Sequence, residues 1–335
     1  MSWGFHRERF LHYGVAWTAV LLTLASSWRN GLVALVRPAL RHGDWKLKVD
    51  PTSASVPDAT GALVPRRDYR RIVAMEGIGY LLQLVPADRI VAVGGWQVKH
   101  AIEGWRVADR PYISETRQIE QILACGPDLV VTQSQGIPEE REGIALLRSL
   151  GIPVFDLSFA TSFDEVTSHM VSLGALLQVP ERGLARRDDA IRRCALLRTP
   201  MKAHPKPYRG VFMCTWGERI TMSGIDDPAG AMISEAGLRN AGVEAGLVLE
   251  PVISLERGLV INPEILVTRP NNVHSLAQVP GIDTLTDHGR KNLYTIPEPL
   301  AGTEARLEFI DAVESIHDAA YSPSSTSAPS SSSKP

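Results

Sequence analysis

Two stretches of the chain repeat one pattern of residue types. Ile119–Thr132 reads IEQILACGPDLVVT, and Leu255–Thr268 reads LERGLVINPEILVT. In each stretch a Glu is followed seven residues later by a Pro and then by an acidic residue. Proline ends a helix because it lacks an N–H and disfavours the helical conformation in the preceding residue. The unit therefore begins with a short helix that stops at the Pro.

The repeated unit closes with a short hydrophobic run that ends in Thr. The runs LVV and ILV do not alternate with polar residues, which is typical of a parallel strand covered on both faces. Each unit is thus a helix, a Pro turn and a buried strand. Its recurrence predicts two similar α/β lobes, and two matched lobes form a cleft.

The length and net charge of the chain limit the classes of protein to which it can belong. A length of 335 residues suits two domains better than one. The formal net charge of −2 argues against a nucleic-acid partner, which would favour a strong basic surplus. The three cysteines (Cys125, Cys194 and Cys214) lie far apart and lack zinc-ligand spacing, so a structural zinc site is not expected. The sequence leaves open whether two of them form a disulfide.

The N-terminal residues have the pattern of an export signal. Arg7 and Arg9 precede the mostly apolar stretch Gly14–Ala25, and small residues follow it. Residues 1–27 are therefore predicted to be a signal peptide. The alternative is an uncleaved membrane anchor, because the uncharged stretch that contains Gly14–Ala25 is just long enough to span a bilayer. Either reading predicts an exported, periplasmic protein. At the other end, the Ser/Pro-rich residues 321–335 are predicted to be disordered.

Alternating strands and helices fill the rest of the chain. Residues 28–67 are an N-terminal segment with a hairpin at Val56–Pro65, residues 68–160 the N-terminal lobe, residues 161–206 linker helices, and residues 207–320 the C-terminal lobe. Strands are predicted at Arg71–Ala74, Arg89–Val93, Leu129–Thr132, Ile152–Leu157, Gly210–Thr215, Ile265–Thr268 and Leu293–Ile296. Helices are predicted at Gly77–Leu84, Ile119–Ala124, Glu139–Leu150, Glu181–Arg198, Gly230–Ala236, Leu255–Ile261 and about 304–319.

The order and spacing of these segments resemble a known family. The segments that carry the resemblance are DATGALVP with RRIVAM, VPADRIVAVGG, the two repeated units, LRSLGIPVFDL, the helical stretch 162–198 and GERITMSGIDDPAGAMISEAGLRNAG. Together they resemble the helical-backbone periplasmic substrate-binding proteins of ABC importers, which carry iron–siderophores, haem or vitamin B12. The resemblance covers about residues 56–318.

This resemblance implies a fold and a mode of action. The fold class is α/β, with two lobes, each a parallel sheet covered by helices, joined by a long linker helix with the ligand cleft between them. Such a protein is not an enzyme and has no cofactor of its own. It is expected to be a monomer that captures a ferric siderophore, or alternatively haem or cobalamin. It would deliver this ligand to a permease whose ATPase is a separate subunit. Glu120 and Glu256 match the family's permease-docking glutamates.

Ligand contacts are predicted in the loops after the strands, because α/β sheets place ligands at the carboxyl ends of their strands. Large flat chelates favour aromatic side chains, and anionic groups on a ligand favour arginine. The candidate ligand-binding residues are Tyr80, Trp96, Trp105, Tyr112, Trp216, Arg219 and Arg269. No metal ligands are assigned among them.

Other functions are less well supported by the residues. A free metal-ion binder would need several histidines or acids converging from both lobes, whereas the histidines here are scattered. An NAD-type enzyme would need a third glycine after Gly77 and Gly79, and Leu82 stands in its place. A membrane-tethered scaffold or sensor with the same fold is kept open by the unusual N-terminus and the serine-rich tail.

Overall fold

The computed structural model describes residues 53–94, 107–134, 138–157, 159–203, 207–216, 219–286, 293–297 and 309–321, which all belong to one compact unit. The predicted signal peptide or anchor and the predicted disordered tail lie outside these residues, apart from Tyr321. None of the helices within the described ranges is long and apolar enough to cross a membrane.

The N-terminal lobe is built on a five-stranded parallel sheet in the order β5-β4-β3-β6-β7. A small antiparallel hairpin precedes it, as the sequence predicts. The strands are β1 Ser55–Pro57 and β2 Leu63–Pro65 in the hairpin, then β3 Ile72–Ala74, β4 Ile90–Gly94, β5 Tyr112–Ile113, β6 Leu129–Thr132 and β7 Val154–Asp156. The helices are α1 Ile78–Leu84, α2 Ile119–Ala124 and α3 Pro138–Ser149.

Two helices then lead to the C-terminal lobe, whose sheet runs in the order β11-β9-β8-β12-β13, with β10 paired to β8. The two helices are α4 Phe163–Leu176 and α5 Pro180–Ala203, the linker helix. The strands are β8 Arg209–Trp216, β9 Arg219–Met222, β10 Arg239–Asn240, β11 Val252–Ile253, β12 Ile265–Thr268 and β13 Leu293–Thr295. The helices are α6 Pro228–Glu235, α7 Ala241–Glu244, α8 Leu255–Ile261, α9 Pro270–Gln278, α10 Ile282–Thr286 and α11 Phe309–Tyr321.

The C-terminal sheet is mixed rather than wholly parallel. Strand β9 is antiparallel to β8, and β11 is antiparallel to β9. Only residues 217 and 218 separate β8 from β9, and so short a connection can join antiparallel strands only. Trp216 and Arg219 are predicted to lie in a loop after the strand, whereas they lie on the antiparallel strands β8 and β9. Strands β8, β12 and β13 are parallel as predicted.

The repeated unit folds the same way in both lobes, and the acid after its Pro has a structural role. The Asp128 carboxylate accepts hydrogen bonds from the backbone N–H groups of Arg70 (2.8 Å) and Arg71 (2.9 Å). In the other lobe, the Glu264 carboxylate accepts one from the backbone N–H of Arg209 (2.7 Å). In both lobes this acid therefore fixes the amino end of the central strand.

The helix of each repeated unit also ends in the same manner. Gly126 and Asn262 both adopt the left-handed conformation (φ 55° and 48°), which glycine and asparagine tolerate best at the end of a helix. The carbonyl of each accepts a hydrogen bond from an arginine at the start of the central strand. Arg71 Nε donates to Gly126 at 2.8 Å, and Arg209 Nη1 donates to Asn262 at 2.9 Å. The repeat is thus structural as well as sequential.

Helices α4 and α5 pack against each other through two glycines. A Cβ atom on Gly174 would lie 2.9 Å from the Cα of Gly183, and one on Gly183 would lie 2.8 Å from the carbonyl oxygen of Met170. Real Cβ atoms do not approach backbone so closely. The two glycines therefore allow the linker helix to lie unusually close to its neighbour.

The linker helix is tied to both lobes. Near its start, Arg182 donates a hydrogen bond to the carbonyl of Leu84 at the end of α1. Further along, Arg193 forms ion pairs with Asp311 and Glu314 on α11. One hydrophobic core runs continuously through both lobes and the helices between them. Its members include Ile72 and Leu129 of the first lobe, Met170 and Cys194 of the helices, and Phe212, Met232 and Val313 of the second lobe.

Candidate functional site between the sheet edges

In the N-terminal lobe, the carboxyl ends of the strands form a polar edge. A buried anchor, Asp156 at the end of β7, accepts hydrogen bonds from the Ser134 backbone N–H (2.9 Å) and hydroxyl (2.5 Å). Ser134 belongs to the loop after β6, which the sequence predicts to contact ligand. The anchor therefore fixes the start of that loop against the neighbouring strand.

Tyr112 and Glu76 lie close together on this edge. Tyr112 is 40% exposed on β5, and Glu76 follows β3. Partial burial and, to a lesser extent, the Glu76 carboxylate raise the pKa of the Tyr112 phenol. The phenol is therefore protonated at neutral pH and can act as a hydrogen-bond donor. The sequence prediction did not single out Glu76, although it lies in a loop that was predicted to face the ligand.

Tyr80 lies elsewhere, in the hydrophobic core. It has no exposed surface, and its ring meets that of His169 edge-on at a centroid distance of 5.7 Å. Tyr80 lies on helix α1, which begins at Ile78 within the predicted helix Gly77–Leu84, and this helix turns the tyrosine into the lobe. This placement offers no surface for a ligand, so we do not include Tyr80 among the proposed contacts.

In the C-terminal lobe, two arginines lie at the corresponding edge. Arg219 is exposed at the start of β9 and pairs in register with Trp216 at the end of β8. Arg269 follows β12 directly, and its guanidinium lies 5.5 Å from the centroid of the Phe212 ring. Trp216 has its backbone in the strand, while its side chain lies outside the described structure. Trp96 and Trp105 also fall outside the described residues.

Helix α9 is pinned to the end of β8 by one buried asparagine. The Asn272 side-chain oxygen accepts hydrogen bonds from the Thr215 backbone N–H (2.9 Å) and hydroxyl (3.0 Å). The sequence predicts Arg269 in a loop after the strand, but the segment that follows it, from Pro270 onward, is helical. It is a helix because Arg269 is extended before Pro270, and proline is favoured in the first turn of a helix. Arg269 is thereby fixed at the end of β12.

Glu120 and Glu256 are exposed at these same carboxyl edges. In the N-terminal lobe, β5 ends at Ile113, level with Gly94 at the end of β4, and the turn that follows leads directly into α2. In the C-terminal lobe, Ile253 of β11 pairs with Ile220, which places the start of α8 level with the end of β8.

The local structure favours the charged form of Glu256. Ser254 caps α8 by accepting a hydrogen bond from the backbone N–H of Arg257 (3.2 Å). The Ser254 side chain, and then the backbone N–H of Glu256 itself, lower the pKa of the Glu256 carboxyl. Both glutamates lie in the first turn of their helix, where the helix dipole also favours an anion. Each lobe thus carries a solvent-facing acid beside its predicted ligand edge.

Among the residues the structure describes, no group of three or more His, Cys, Asp or Glu side chains is placed to hold a metal ion. The three cysteines, at positions 125, 194 and 214, all lie in the described part of the chain and form no disulfide there.

The two α/β sheets, joined through α4 and the linker helix α5, form the two-lobed architecture of solute-binding proteins. The sequence profile of the periplasmic binding protein family matches residues 76–291, which is well over half of the chain. The chain therefore belongs to the periplasmic binding protein family, as its sequence resemblance predicts. Members of this family are exported to the periplasm and work with the permease and ATPase components of ABC importers.

Several solved structures share the fold. The periplasmic haem-binding protein RhuT from Roseiflexus sp. RS-1 is 20% identical, with a TM-score of 0.65, and the match covers 76% of this chain and 98% of that one. An ABC-type Fe3+-hydroxamate transport protein from Saccharomonospora viridis is 20% identical (TM-score 0.62; 79% and 98% covered). The vitamin B12-binding protein BtuF of Vibrio cholerae is also 20% identical (TM-score 0.59; 76% and 98% covered). A comparison with curated proteins finds no match.

Proposed function

We propose that this protein captures a ferric siderophore between its two lobes in the periplasm and delivers it to an ABC import permease. The observation that carries the proposal is the family match across residues 76–291, which spans the carboxyl edges of both sheets. Periplasmic binding proteins of this fold hold their ligand between such edges, where α/β sheets generally bind ligands.

The chemistry of the two edges supports an anionic chelate with polar iron-binding groups. The C-terminal lobe offers the guanidinium groups of Arg219 and Arg269, which bind carboxylates well. The N-terminal lobe offers the protonated phenol of Tyr112 beside Glu76. Trp96, Trp105 and Trp216 complete the proposed set of contacts, as flat surfaces for a bulky ligand.

Haem or cobalamin is the second candidate ligand. Structures of a haem-binding and a B12-binding protein match this chain as well as that of a hydroxamate transport protein does. Haem also carries carboxylates that the two arginines would bind. A tethered scaffold or sensor on the same fold would instead bind the importer without a chelate.

We propose that Glu120 and Glu256 dock the loaded protein on the permease. They are exposed, they occupy equivalent positions in the two repeated units, and they lie at the same edges as the ligand contacts. A cationic side chain on each of two permease subunits would pair with them. The protein itself would act as a monomer and hold no cofactor.

A thermal-unfolding screen tests the ligand. The purified full-length protein is heated with ferric hydroxamate siderophores, hemin, cyanocobalamin, or ferric, zinc and manganese salts. Binding at a hundredfold excess over Kd adds about 2.7 kcal/mol of stability, which is easily seen as a shift in Tm. We expect a ferric siderophore to give the shift. A shift with hemin or cyanocobalamin alone would favour the second candidate, and a shift with a bare metal salt alone would contradict both.

Variants then locate the contacts. Arg219→Ala and Arg269→Ala should each weaken binding of the identified chelate roughly tenfold, since each removes a charge-assisted hydrogen bond. Tyr112→Phe removes only the phenol hydroxyl and so tests the contribution of that group to binding. Arg187→Ala, which removes a partly exposed arginine on the linker helix, is the matched control and should bind like the wild type. Wild-type affinity in both arginine variants would show that the ligand does not contact this edge.

A further inference from the structure

Each proposed docking glutamate has an exposed leucine one helical turn further on. Leu123 follows Glu120 by three residues and is 40% exposed, and Leu259 follows Glu256 by three residues and is 43% exposed. Residues three or four apart on a helix lie on the same face. In α8 the next residue, Val260, is 76% exposed and extends this face. We call Glu120 with Leu123 the first docking face, and Glu256 with Leu259 and Val260 the second.

Neither apolar group is needed to pack its helix on its own lobe. Helix α2 is held by Ile122, which is fully buried, and α8 by the buried Gly258 and Ile261. A Cβ atom on Gly258 would lie 2.9 Å from a methyl group of Leu285, so α8 already lies as close to α10 as it can. The leucines point away from these contacts and expose apolar surface to solvent.

We propose that the two docking faces bind the importer's permease through these apolar side chains as well as through the glutamates. This rests on the delivery function proposed above. Each face would fit a permease surface that has a basic side chain beside a shallow apolar hollow. Because the faces recur in the same register on two similar lobes, the partner would offer that surface twice, as a dimer of equivalent subunits does. Apolar contacts around the ion pair would exclude water from it and so strengthen it.

The charges on the faces argue for this partner over two others. A second copy of this chain would place glutamate against glutamate if like faces met. An anionic membrane surface would repel both carboxylates, of which Glu256 is favoured in its charged form. A basic protein surface has the complementary sign. Family members work with a membrane permease, which provides such a partner.

The test measures binding to the source organism's importer, permease with ATPase subunits, reconstituted in lipid nanodiscs. The variants are Leu123→Ser, Leu259→Ser with Val260→Ser, Glu120→Arg and Glu256→Arg. Leu196→Ser on the linker helix, where the leucine is 60% exposed, is the matched control for the apolar changes. Glu142→Arg, at an exposed position of α3, is the control for charge reversal. Circular dichroism and the Tm of each variant confirm that it is folded.

We expect each apolar variant to weaken binding about tenfold, the effect of withdrawing a partly buried leucine from an interface. This loss should persist at high salt, whereas the loss in the glutamate variants should shrink because salt screens ion pairs. Wild-type affinity in both apolar variants, with weakened binding in the glutamate variants, would overturn the inference and leave the delivery function intact. Failure of the wild type to bind any of the organism's importers of this class would overturn both.

Discussion

A buried histidine makes the stability of the fold sensitive to acid. His169 lies on α4, 5% exposed, with its ring edge-on to Tyr80. Its Nδ1 atom is buried and has no hydrogen-bond partner among the described residues. Burial lowers the pKa of His169 to about 4, and a hydrogen bond with the backbone of Leu157 offsets only part of this effect. The imidazole is therefore neutral in the folded protein at neutral pH.

The direction of the pH effect follows from this lowered pKa. In the unfolded chain the histidine binds a proton near pH 6.5, whereas in the folded protein it does so only near pH 4. Stability is therefore full above about pH 6.5 and falls as the pH drops toward 4. We expect the free energy of unfolding to lose about 2 kcal/mol between pH 7 and 4.5 through this residue, as measured by urea denaturation. His169→Phe, which keeps an aromatic ring, should remove that part of the pH dependence. An unchanged slope in this variant would contradict the assignment.

At the residue scale, the sequence predicted which residues lie next to strand ends better than it predicted where their side chains point. Tyr80 and Tyr112 both lie next to strand ends, and the sequence offers no way to tell that helix α1 turns one into the core. Asp128 and Glu264 were recognised as part of the repeat, but their hydrogen bonds to a strand distant in the sequence could not be foreseen. These facts depend on tertiary contacts that a local pattern does not encode.

Among the elements, the N-terminal hairpin is held by one buried carboxylate. Asp58 has no exposed surface, and it accepts hydrogen bonds from the backbone N–H groups of Thr60 (2.8 Å) and Ala62 (3.0 Å). Arg148 at the end of α3 forms an ion pair with it. The hairpin turn is joined to β7 by a further bond from the Ala59 N–H to the Asp156 carbonyl (2.8 Å). Asp58 thus supplies the side-chain contacts that connect the hairpin to the lobe, beside this backbone bond.

Removing this carboxylate should be costly. Asp58→Ala leaves Arg148 and three backbone N–H groups, those of Thr60, Ala62 and Asp156, without this acceptor, and breaking a buried ion pair typically costs about 3–5 kcal/mol. We expect a loss of about 3 kcal/mol in the free energy of unfolding, measured by urea denaturation. Asp68→Ala is the matched control. Asp68 pairs with Arg89 and Arg70 but is 44% exposed, so its loss should cost less than about 1 kcal/mol. Equal losses in the two variants would show that the buried pair has no special role.

The elements predicted best are those with their own start and stop signals. Helices α2 and α8 have the bounds that the Pro of each repeated unit predicts, and β6 and β12 begin and end as expected. Some of the elements missed are short, and strand β5 has only two residues. Strand β9 follows β8 after residues 217 and 218, whose sequence lacks the Asn-Gly or Asp-Gly pair that usually marks a hairpin. Helix α9 was missed although Pro270 marks its first turn.

For the molecule as a whole, the shared core implies that the lobes unfold together. The core is continuous from the first sheet through α4 and α5 to the second sheet. Two domains with separate cores can unfold separately. Here each lobe also has a smaller hydrophobic cluster of its own, but the largest cluster is shared, and a shared core favours one cooperative transition. The glycine contact between α4 and α5 lies within this shared region. Its disruption should therefore affect both lobes.

Gly183→Val tests this coupling. The added side chain would meet the backbone of α4, and forcing larger groups into packed interiors typically costs about 1–3 kcal/mol. We expect hydrogen exchange, followed by mass spectrometry, to show the same loss of protection in β3 and β6 as in β8 and β12. Ala195→Val, at an exposed position of the same helix, should leave both sheets protected as in the wild type. Loss of protection in one sheet alone would show that the lobes are independent.

The linker helix has a consequence for avidity. Its packing in a core common to both lobes limits how far the two docking faces can separate. In the proposed docking mode, binding of one face therefore holds the other at a high effective concentration near its own site on the permease dimer. Two contacts that are each weak can then give a firm complex. The complex can still dissociate quickly once one contact is lost, as a carrier that must leave after each delivery requires.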